Sequence, residues 1–284
     1  PWCDLPLFAY DHGTVTGRNE VPSRLSYEIL VGKYMGSSGF VSVLPDYLGL
    51  GDSPGMHPYI HAVTEATATI DMLRAAREYC SVHGIGLNGE VFLAGYSQGG
   101  HAAMATHRMI QEQFPDEFNV VASAPCSGPY DCSGVQASVI TADESYPAPY
   151  YLPYILLAYK DIYPGLPPAM ADIFVTPYDT LLPPLFDGTH SSGDIDAVMP
   201  DTPNLVVQPA LLAAYMSDPD HPFRMALRDN DVYDWAPAAP MRLNYCSGDH
   251  HVFAHGFSER PAARAHHGAA RVGQRHVRGG AVVQ

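Results

Sequence analysis

In the amino-terminal half of the chain, short apolar runs alternate with amphipathic stretches. Apolar β-prone runs are typical of buried strands, and apolar residues spaced three or four apart indicate helices. The runs predict strands at residues 7–10, 40–44, 90–94 and 119–124. The amphipathic stretches predict helices at residues 24–34, capped by Ser23, and at 64–80 and 101–113. This alternation predicts an α/β fold, a parallel sheet with helices on both faces.

The composition changes after Gly128. Residues 130–240 are rich in Pro, Tyr and Leu and carry short helical patterns, clearest at 151–159 and 209–216. We interpret this stretch as a helical cap over the carboxyl edge of the sheet, with an apolar acyl or alcohol pocket. The alternative is a structural helical layer without substrate contact. A strand at 241–246 returns to the sheet, so the expected organisation is core 1–129, cap 130–240 and core 241–284.

Composition and charge narrow the class of protein. The chain has 284 residues, 46% of them hydrophobic and 16% charged, which is typical of a globular protein with ample core. The net charge of −15 argues against nucleic acid and anionic membrane surfaces as partners. No apolar run approaches the roughly 20 residues of an integral membrane segment. A first residue that is Pro rather than Met predicts a processed or truncated product, and the low Lys content and 26 prolines are compatible with a secreted or periplasmic protein, the cytoplasm being the alternative.

The five cysteines fit no zinc motif. Cys126 and Cys132 flank a predicted turn, so two alternatives are open: a local disulfide between them, or two free thiols.

The motif Gly95-Tyr96-Ser97-Gln98-Gly99 lies between a predicted strand and a predicted helix. This is the context of a nucleophile elbow, in which a tight, strained turn projects a serine hydroxyl into a pocket. Glycines two residues either side of the serine remove side chains that would collide in such a turn. Ser97 is therefore the candidate nucleophile; the alternative is a glycine-rich turn with an ordinary serine.

Two backbone segments are candidates for an oxyanion hole. The N–H of Gln98 would begin the helix after Ser97 and point at a developing oxyanion. The turn Asp11-His12-Gly13 follows the first predicted strand, where many hydrolases place a second donor. A plain strand-end turn is the alternative.

Asp46, in a glycine-rich loop after the second strand, is interpreted as a structural carboxylate that accepts loop N–H groups.

A serine nucleophile needs a base and an acid that orients it. Asp249 follows the strand at 241–246, and the order Ser, Asp, His is that of α/β-hydrolases. A structural Asp capping the next helix is the alternative. The base is expected after a final strand: His276 follows a β-like piece at 270–274 and is preferred to His266 and His267, and the absence of any functional base stays open.

The end of the chain has an unusual composition. All 30 acidic residues lie at or before Glu259, and the last 25 residues contain five Arg but no acid and no Lys. We hypothesise an altered reading frame or a foreign tail, which resequencing of the coding DNA would test.

Several motifs occur together along the chain: Tyr10-Asp11-His12-Gly13-Thr14, Pro45-Asp46-Tyr47-Leu48-Gly49-Leu50-Gly51, Gly95-Tyr96-Ser97-Gln98-Gly99-Gly100, His221-Pro222-Phe223-Arg224, Tyr233-Asp234-Trp235-Ala236-Pro237 and Tyr245-Cys246-Ser247-Gly248-Asp249. As a set they resemble bacterial α/β-hydrolases of the secretory-lipase (lipase-A-like) family, from the first strand to about Val252. The resemblance implies carboxylic-ester hydrolysis, a helical cap and no cofactor.

Carried over by motif, Ser97 matches the nucleophile, Asp249 the acid, and Gln98 with the Asp11-His12 turn the oxyanion hole; His276 matches only by approximate position. The family normally has further strands before the first one here.

The sequence therefore predicts a serine carboxylesterase or lipase that acts on small-molecule esters with short to medium acyl or aryl groups, with no metal. A serine peptidase or acyltransferase of the same fold is one alternative, with Asp194 and Asp196 as candidate ligands of a substrate amine. A catalytically impaired hydrolase-fold binding protein is the other. The oligomeric state is left open.

Overall fold

A parallel β-sheet forms the centre of the computed structural model, which describes residues 4–252 and 275–277. Its strands are β1 (Leu5–Asp11), β2 (Val41–Val43), β3 (Leu87–Tyr96), β4 (Asn119–Cys126), β5 (Asn244–Cys246) and β6 (Arg275–Val277). In the described residues their order across the sheet is β2-β1-β3-β4-β5-β6, and each neighbouring pair is parallel. The predicted strands are confirmed to within a few residues, and the one at 241–246 begins as a single bridge between Ser123 and Met241.

Helices alternate with the first four strands and continue after them. They are α1 (Ile29–Ser37), α2 (Ala62–Val82), α3 (Gln98–Gln113), α4 (Ser138–Thr141), α5 (Tyr151–Ile162), α6 (Met170–Ile173), α7 (Tyr178–Leu181), α8 (Ser192–Asp196), α9 (Pro209–Ser217) and α10 (Pro222–Asp229). The apolar stripe of α2, with Ile70 and Leu73, packs in one buried cluster with Leu7 of β1 and Val91 of β3, as its spacing predicts. Along the described chain, no helix combines the length and the apolar character needed to cross a membrane.

The first helix differs from its prediction, because it begins at Ile29 and not after Ser23. The backbone N–H and the hydroxyl of Ser23 both donate to the carboxylate of Asp46, at 3.0 and 2.5 Å. Leu25 then takes a left-handed conformation with φ of 61°, which ends the short 3₁₀ turn Pro22–Arg24. Ser23 therefore anchors a loop and does not cap a helix, and Asp46 has the structural role expected of it.

The segment between β4 and β5, residues 127–243, contains the helices α4 to α10, and most of its buried apolar side chains form one cluster with Tyr59 and Ile60. Its helices are short because prolines recur within it. The division into core and cap at residues 130 and 240 stays a prediction.

Cys126 and Cys132 are free thiols, so the disulfide alternative is wrong for this structure. The Cys126 thiol donates to the carbonyl of Ala124 at 3.3 Å, and the Cys132 thiol donates to the carbonyl of Pro129 at 3.0 Å. Each sulfur therefore has a backbone partner of its own.

Candidate active site

Ser97 lies at the junction of β3 and α3, at the carboxyl edge of the sheet. Its φ of 57° and ψ of −121° are a strained conformation for a residue with a side chain. The Ser97 N–H donates to the carbonyl of Cys126 at 2.9 Å, which fixes the turn against β4. The strand, turn and helix predicted around this serine are all present.

The two glycines of the motif are required by close backbone contacts. A Cβ atom at Gly95 would lie 2.0 Å from the carbonyl oxygen of Gly99, and one at Gly99 would lie 1.8 Å from that of Asp11. Neither position can hold a larger residue without moving the backbone, which is the steric reason given for the motif.

Gln98, the first residue of α3, is 1% exposed and its side chain points away from solvent. Its amide nitrogen lies 2.8 Å from Glu65 Oε1 and 2.7 Å from His57 Nε2. The N–H groups in the first turn of a helix have no partner within the helix. The backbone N–H of Gln98 therefore belongs to the class of donor that an oxyanion requires.

The turn Asp11-His12-Gly13 lies beside Ser97, since a Cβ atom at Gly13 would be 3.8 Å from Ser97 Cβ. The Asp11 and His12 side chains have hydrogen-bond partners other than Ser97. The Asp11 carboxyl is fully buried and accepts from the Thr69 hydroxyl at 2.6 Å, and burial raises its pKa well above the usual range.

The Gly13 N–H has a partner already, because it donates to Glu28 at 3.1 Å. Tyr10 binds the same carboxylate through its hydroxyl at 2.8 Å. The His12 ring contacts the carbonyl of Gly13 at 2.7 Å. Of the three backbone donors predicted in this turn, that of Gly13 is therefore engaged by a carboxylate that the sequence did not point to.

Asp249 follows β5, two strands along the sheet from the strand that carries Ser97. Its carboxylate accepts the N–H groups of His251 and Val252 at 2.9 and 3.0 Å, which closes a turn at the carboxyl edge. Ser97 and Asp249 thus lie at the same edge of the sheet, and the acid role of Asp249 stays a prediction.

Of the three candidate bases, only residue 276 lies in the described part of the chain. Residue 276 lies within β6, paired with Tyr245, and not in a loop after the strand as expected. His266 and His267 lie outside the described residues. The choice of His276 as base therefore stays a prediction.

A cleft of about 660 Å³, including its open mouth, lies over Ser97 and Gln98. Most of its walls are apolar or aromatic, contributed by the loop before α2, by α4 and α5, and by the turn after β5. The main wall residues are Tyr59, Ile140, Tyr146, Tyr151, Ile155 and His251. Such a lining suits an apolar group next to a reacting polar centre.

His251 follows Asp249 by two residues. It lines the cleft, its ring centroid lies 6.1 Å from that of Tyr151, and its carbonyl accepts from the Tyr146 hydroxyl.

The carboxylates suggested for a substrate amine have structural partners. Asp194 forms a capping box with Ser191 at the start of α8, and Ser191 lowers its pKa by hydrogen bonding. Asp196 accepts the N–H of Tyr150 at 3.0 Å. These contacts do not favour the peptidase alternative.

The sequence did not point to Glu65 and His57, whose side chains contact Gln98 beside the candidate nucleophile. Glu65 lies on α2 and is 1% exposed, on the face that also carries Ala66 and Thr69. A charged residue on the apolar face of a predicted helix is a signal that could have identified it. For His57, in a loop, no comparable signal exists.

The chain is similar to known lipases and esterases. The family model described as Secretory lipase matches residues 23–171. The esterase LipA from Xanthomonas oryzae, described as rice cell wall degrading, is 35% identical with a TM-score of 0.75, and the match covers 88% of this chain and 69% of that one. A protein from Legionella pneumophila proposed to be a hydrolase is 33% identical with a TM-score of 0.82, over 90% and 69% of the two chains.

Candida antarctica lipase A shares the fold, with a TM-score of 0.67 at 15% identity over 89% and 60% of the two chains. No curated protein matched the chain in sequence. With these neighbours, the predicted α/β-hydrolase fold is confirmed.

Proposed function

Because this chain belongs to the secretory lipase family, we propose that it is a serine hydrolase that cleaves carboxylic esters through an acyl-enzyme. The observation that carries the proposal is the strained Ser97 at the junction of strand and helix, on the floor of an apolar cleft. A small-molecule ester is the proposed substrate, with its acyl group against the aromatic and aliphatic wall. The family also supports a secreted protein.

In the proposed reaction the Ser97 hydroxyl oxygen bonds to the ester carbonyl carbon while a histidine, His276 by prediction, takes its proton. Asp249 orients that histidine. When the tetrahedral intermediate collapses, the C–O bond to the alcohol breaks and the histidine gives its proton to the alcohol. Water then attacks the carbonyl carbon of the acyl-enzyme while the same histidine takes its proton. The bond to Ser97 breaks, Ser97 regains the proton from the histidine, and the carboxylic acid leaves.

In each tetrahedral intermediate the oxyanion accepts hydrogen bonds from the backbone N–H of Gln98 and from one N–H of the Asp11-His12-Gly13 turn. Since Gly13 donates to Glu28, Asp11 or His12 is the better source of that second bond. Losing one such donor typically costs about 10²–10³ in turnover.

The test is hydrolysis of p-nitrophenyl butyrate, with Ser97→Ala beside the parent and the exposed Ser37→Ala as control. We expect Ser97→Ala to lose at least about 10³ in kcat/KM, and Ser37→Ala to match the parent. A fluorophosphonate probe should label the parent at Ser97. A folded parent that neither turns over nor reacts with the probe would be a hydrolase-fold binding protein, and equal activity in Ser97→Ala would exclude Ser97 as nucleophile.

A further inference from the structure

A buried polar cluster lies against the first turn of α3, directly behind Ser97. It consists of Glu65 on α2, Gln98 and His101 on α3, and His57 in the loop before α2, and is called the Glu65 cluster here. All four residues are at most 3% exposed. Polar groups so deeply buried are costly unless each is paired, so their pairing determines what the cluster does.

The carboxylate of Glu65 binds α3 at two points. Its Oε1 accepts from the Gln98 amide at 2.8 Å, and its Oε2 lies 2.6 Å from His101 Nδ1. Residues three apart lie on one face of a helix, one turn above the other. A single side chain on α2 therefore holds both ends of the first turn of α3.

The two histidines fix the protonation pattern of the cluster. His57 Nδ1 lies 2.8 Å from the carbonyl of Leu48 and must carry the hydrogen, so His57 Nε2 accepts from the Gln98 amide. Burial lowers the pKa of His57 to about 4, which keeps this acceptor neutral.

His101 behaves in the opposite way. Burial alone disfavours its charge, but the adjacent Glu65 carboxylate outweighs this and raises the pKa of His101 well above its usual value. Its Nε2 contacts the carbonyl of Asn230 at 2.8 Å, beside the end of α10. Glu65 thus neutralises a cation that would otherwise lie unfavourably at the positive end of α3.

We propose that Glu65 is a positioning residue for ester hydrolysis, which holds the first turn of α3 so that the Gln98 N–H stays aligned with the Ser97 hydroxyl. The inference rests on the proposed function and extends it to a residue that does not touch the substrate. A shift of about 1 Å in a donor can cost about 10²-fold in rate, so loss of the clamp should appear in kcat.

Two substitutions separate the geometry of Glu65 from its charge. Glu65→Gln can still accept from Gln98 and can donate to a neutral His101, whose other nitrogen then donates to Asn230. We expect its kcat for p-nitrophenyl butyrate to remain within about threefold of the parent. Glu65→Ala leaves Gln98 and His101 without this partner, and we expect kcat to fall about 10²-fold with KM nearly unchanged.

Ile110→Ala is the matched control for lost stability. Ile110 is 1% exposed on the same helix, three turns beyond Ser97, and contacts no member of the cluster through a hydrogen bond. Its truncation should lower Tm while the kcat of the folded enzyme stays at the parent value. If Ile110→Ala loses as much kcat as Glu65→Ala, the effect is general destabilisation and the proposal is wrong.

Glu65→Asp decides the question if Glu65→Ala does not fold. The shorter side chain cannot reach Gln98 and His101 together, so kcat should fall about tenfold while the protein remains folded. Parent-like kcat in Glu65→Asp or in a folded Glu65→Ala overturns the positioning role and leaves the proposed function standing. A parent that is inert and unlabelled by the fluorophosphonate probe overturns both.

Discussion

Gly99 has room for a hydrogen atom and nothing larger, because its neighbour across the turn is the carbonyl oxygen of Asp11. A methyl group there would have to displace β1 or α3. We expect Gly99→Ala to lower the free energy of unfolding by at least about 3 kcal/mol, the upper range for overpacking. Urea unfolding of the variant and the parent measures the difference.

Gly36→Ala is the control for that experiment. Gly36 lies in α1, and a Cβ atom there would meet nothing within 4 Å. Alanine in place of a helical glycine raises the free energy of unfolding by about 0.5–1 kcal/mol. A Gly99→Ala variant as stable as the parent would mean that the turn is not as tightly packed as described.

At the scale of single residues, local spacing in the sequence indicates part of the candidate site. Ser97 and its glycines were evident because a tight turn restricts residue types within five positions. The engagement of Gly13 by Glu28, and of Gln98 by Glu65, could not be predicted because each joins segments that only the fold brings together. The partners of a buried polar group are a property of packing, and no local pattern records them.

His107 links α3 to its neighbours in a way that depends on pH. Its ring Nδ1 lies 2.9 Å from the Ser123 hydroxyl of β4, and it packs edge-on against Trp235 at 5.1 Å. Burial lowers the pKa of His107 to about 4. The unfolded chain takes up this proton below about pH 6.5 and the folded chain does not, so stability is lost as pH falls from about 6.5 to about 4.

The His107→Gln variant should remove this contribution. Between pH 7 and pH 5 we expect it to lose about 2 kcal/mol less stability than the parent, by the linkage of proton binding to folding. Urea unfolding of both proteins at the two pH values gives the comparison. An identical loss in both would show that the His107 pKa is not depressed.

Elements with strong periodicity were predicted well, and those set by distant contacts were not. The predicted helices at 64–80, 101–113 and 151–159 lie inside α2, α3 and α5, because each has an apolar face that its own sequence specifies. The start of α1 was predicted wrongly because Ser23, a good capping residue, binds Asp46 instead. Capping preferences act only when no other partner competes for the side chain.

At the scale of the whole molecule, the cleft depends on segments distant in sequence. Tyr59 precedes α2, Ile155 lies on α5, and His251 follows β5. The sequence predicted an apolar pocket from composition alone, and it could not say which side chains form the wall, since that depends on how the helices of residues 127–243 pack over the sheet edge.

A bulky residue in the cleft wall should change acyl specificity. We expect Ile155→Trp to raise KM for p-nitrophenyl octanoate about tenfold, the scale of losing one or two methylene contacts. The KM for p-nitrophenyl acetate should change less than twofold. Steady-state kinetics with both esters test this. Leu181→Trp, at an exposed site on α7, is the control and should leave both values unchanged. An equal effect of Ile155→Trp on both esters would mean that the acyl chain does not lie against Ile155.

The Glu65 cluster also affects which parts of the molecule open locally. Asn230 accepts the N–H of Ala62 at the start of α2 and contacts His101 of α3, while its amide donates to Ala226 of α10. The first turns of α2 and α3 and the end of α10 therefore cannot fray one at a time, because opening any of them exposes unpaired charge or amide in the others. These segments should exchange their amide hydrogens as one cooperative unit. Because Gln98 on the floor of the cleft lies in this unit, we expect that floor to open together with α2 and α10 and not by itself.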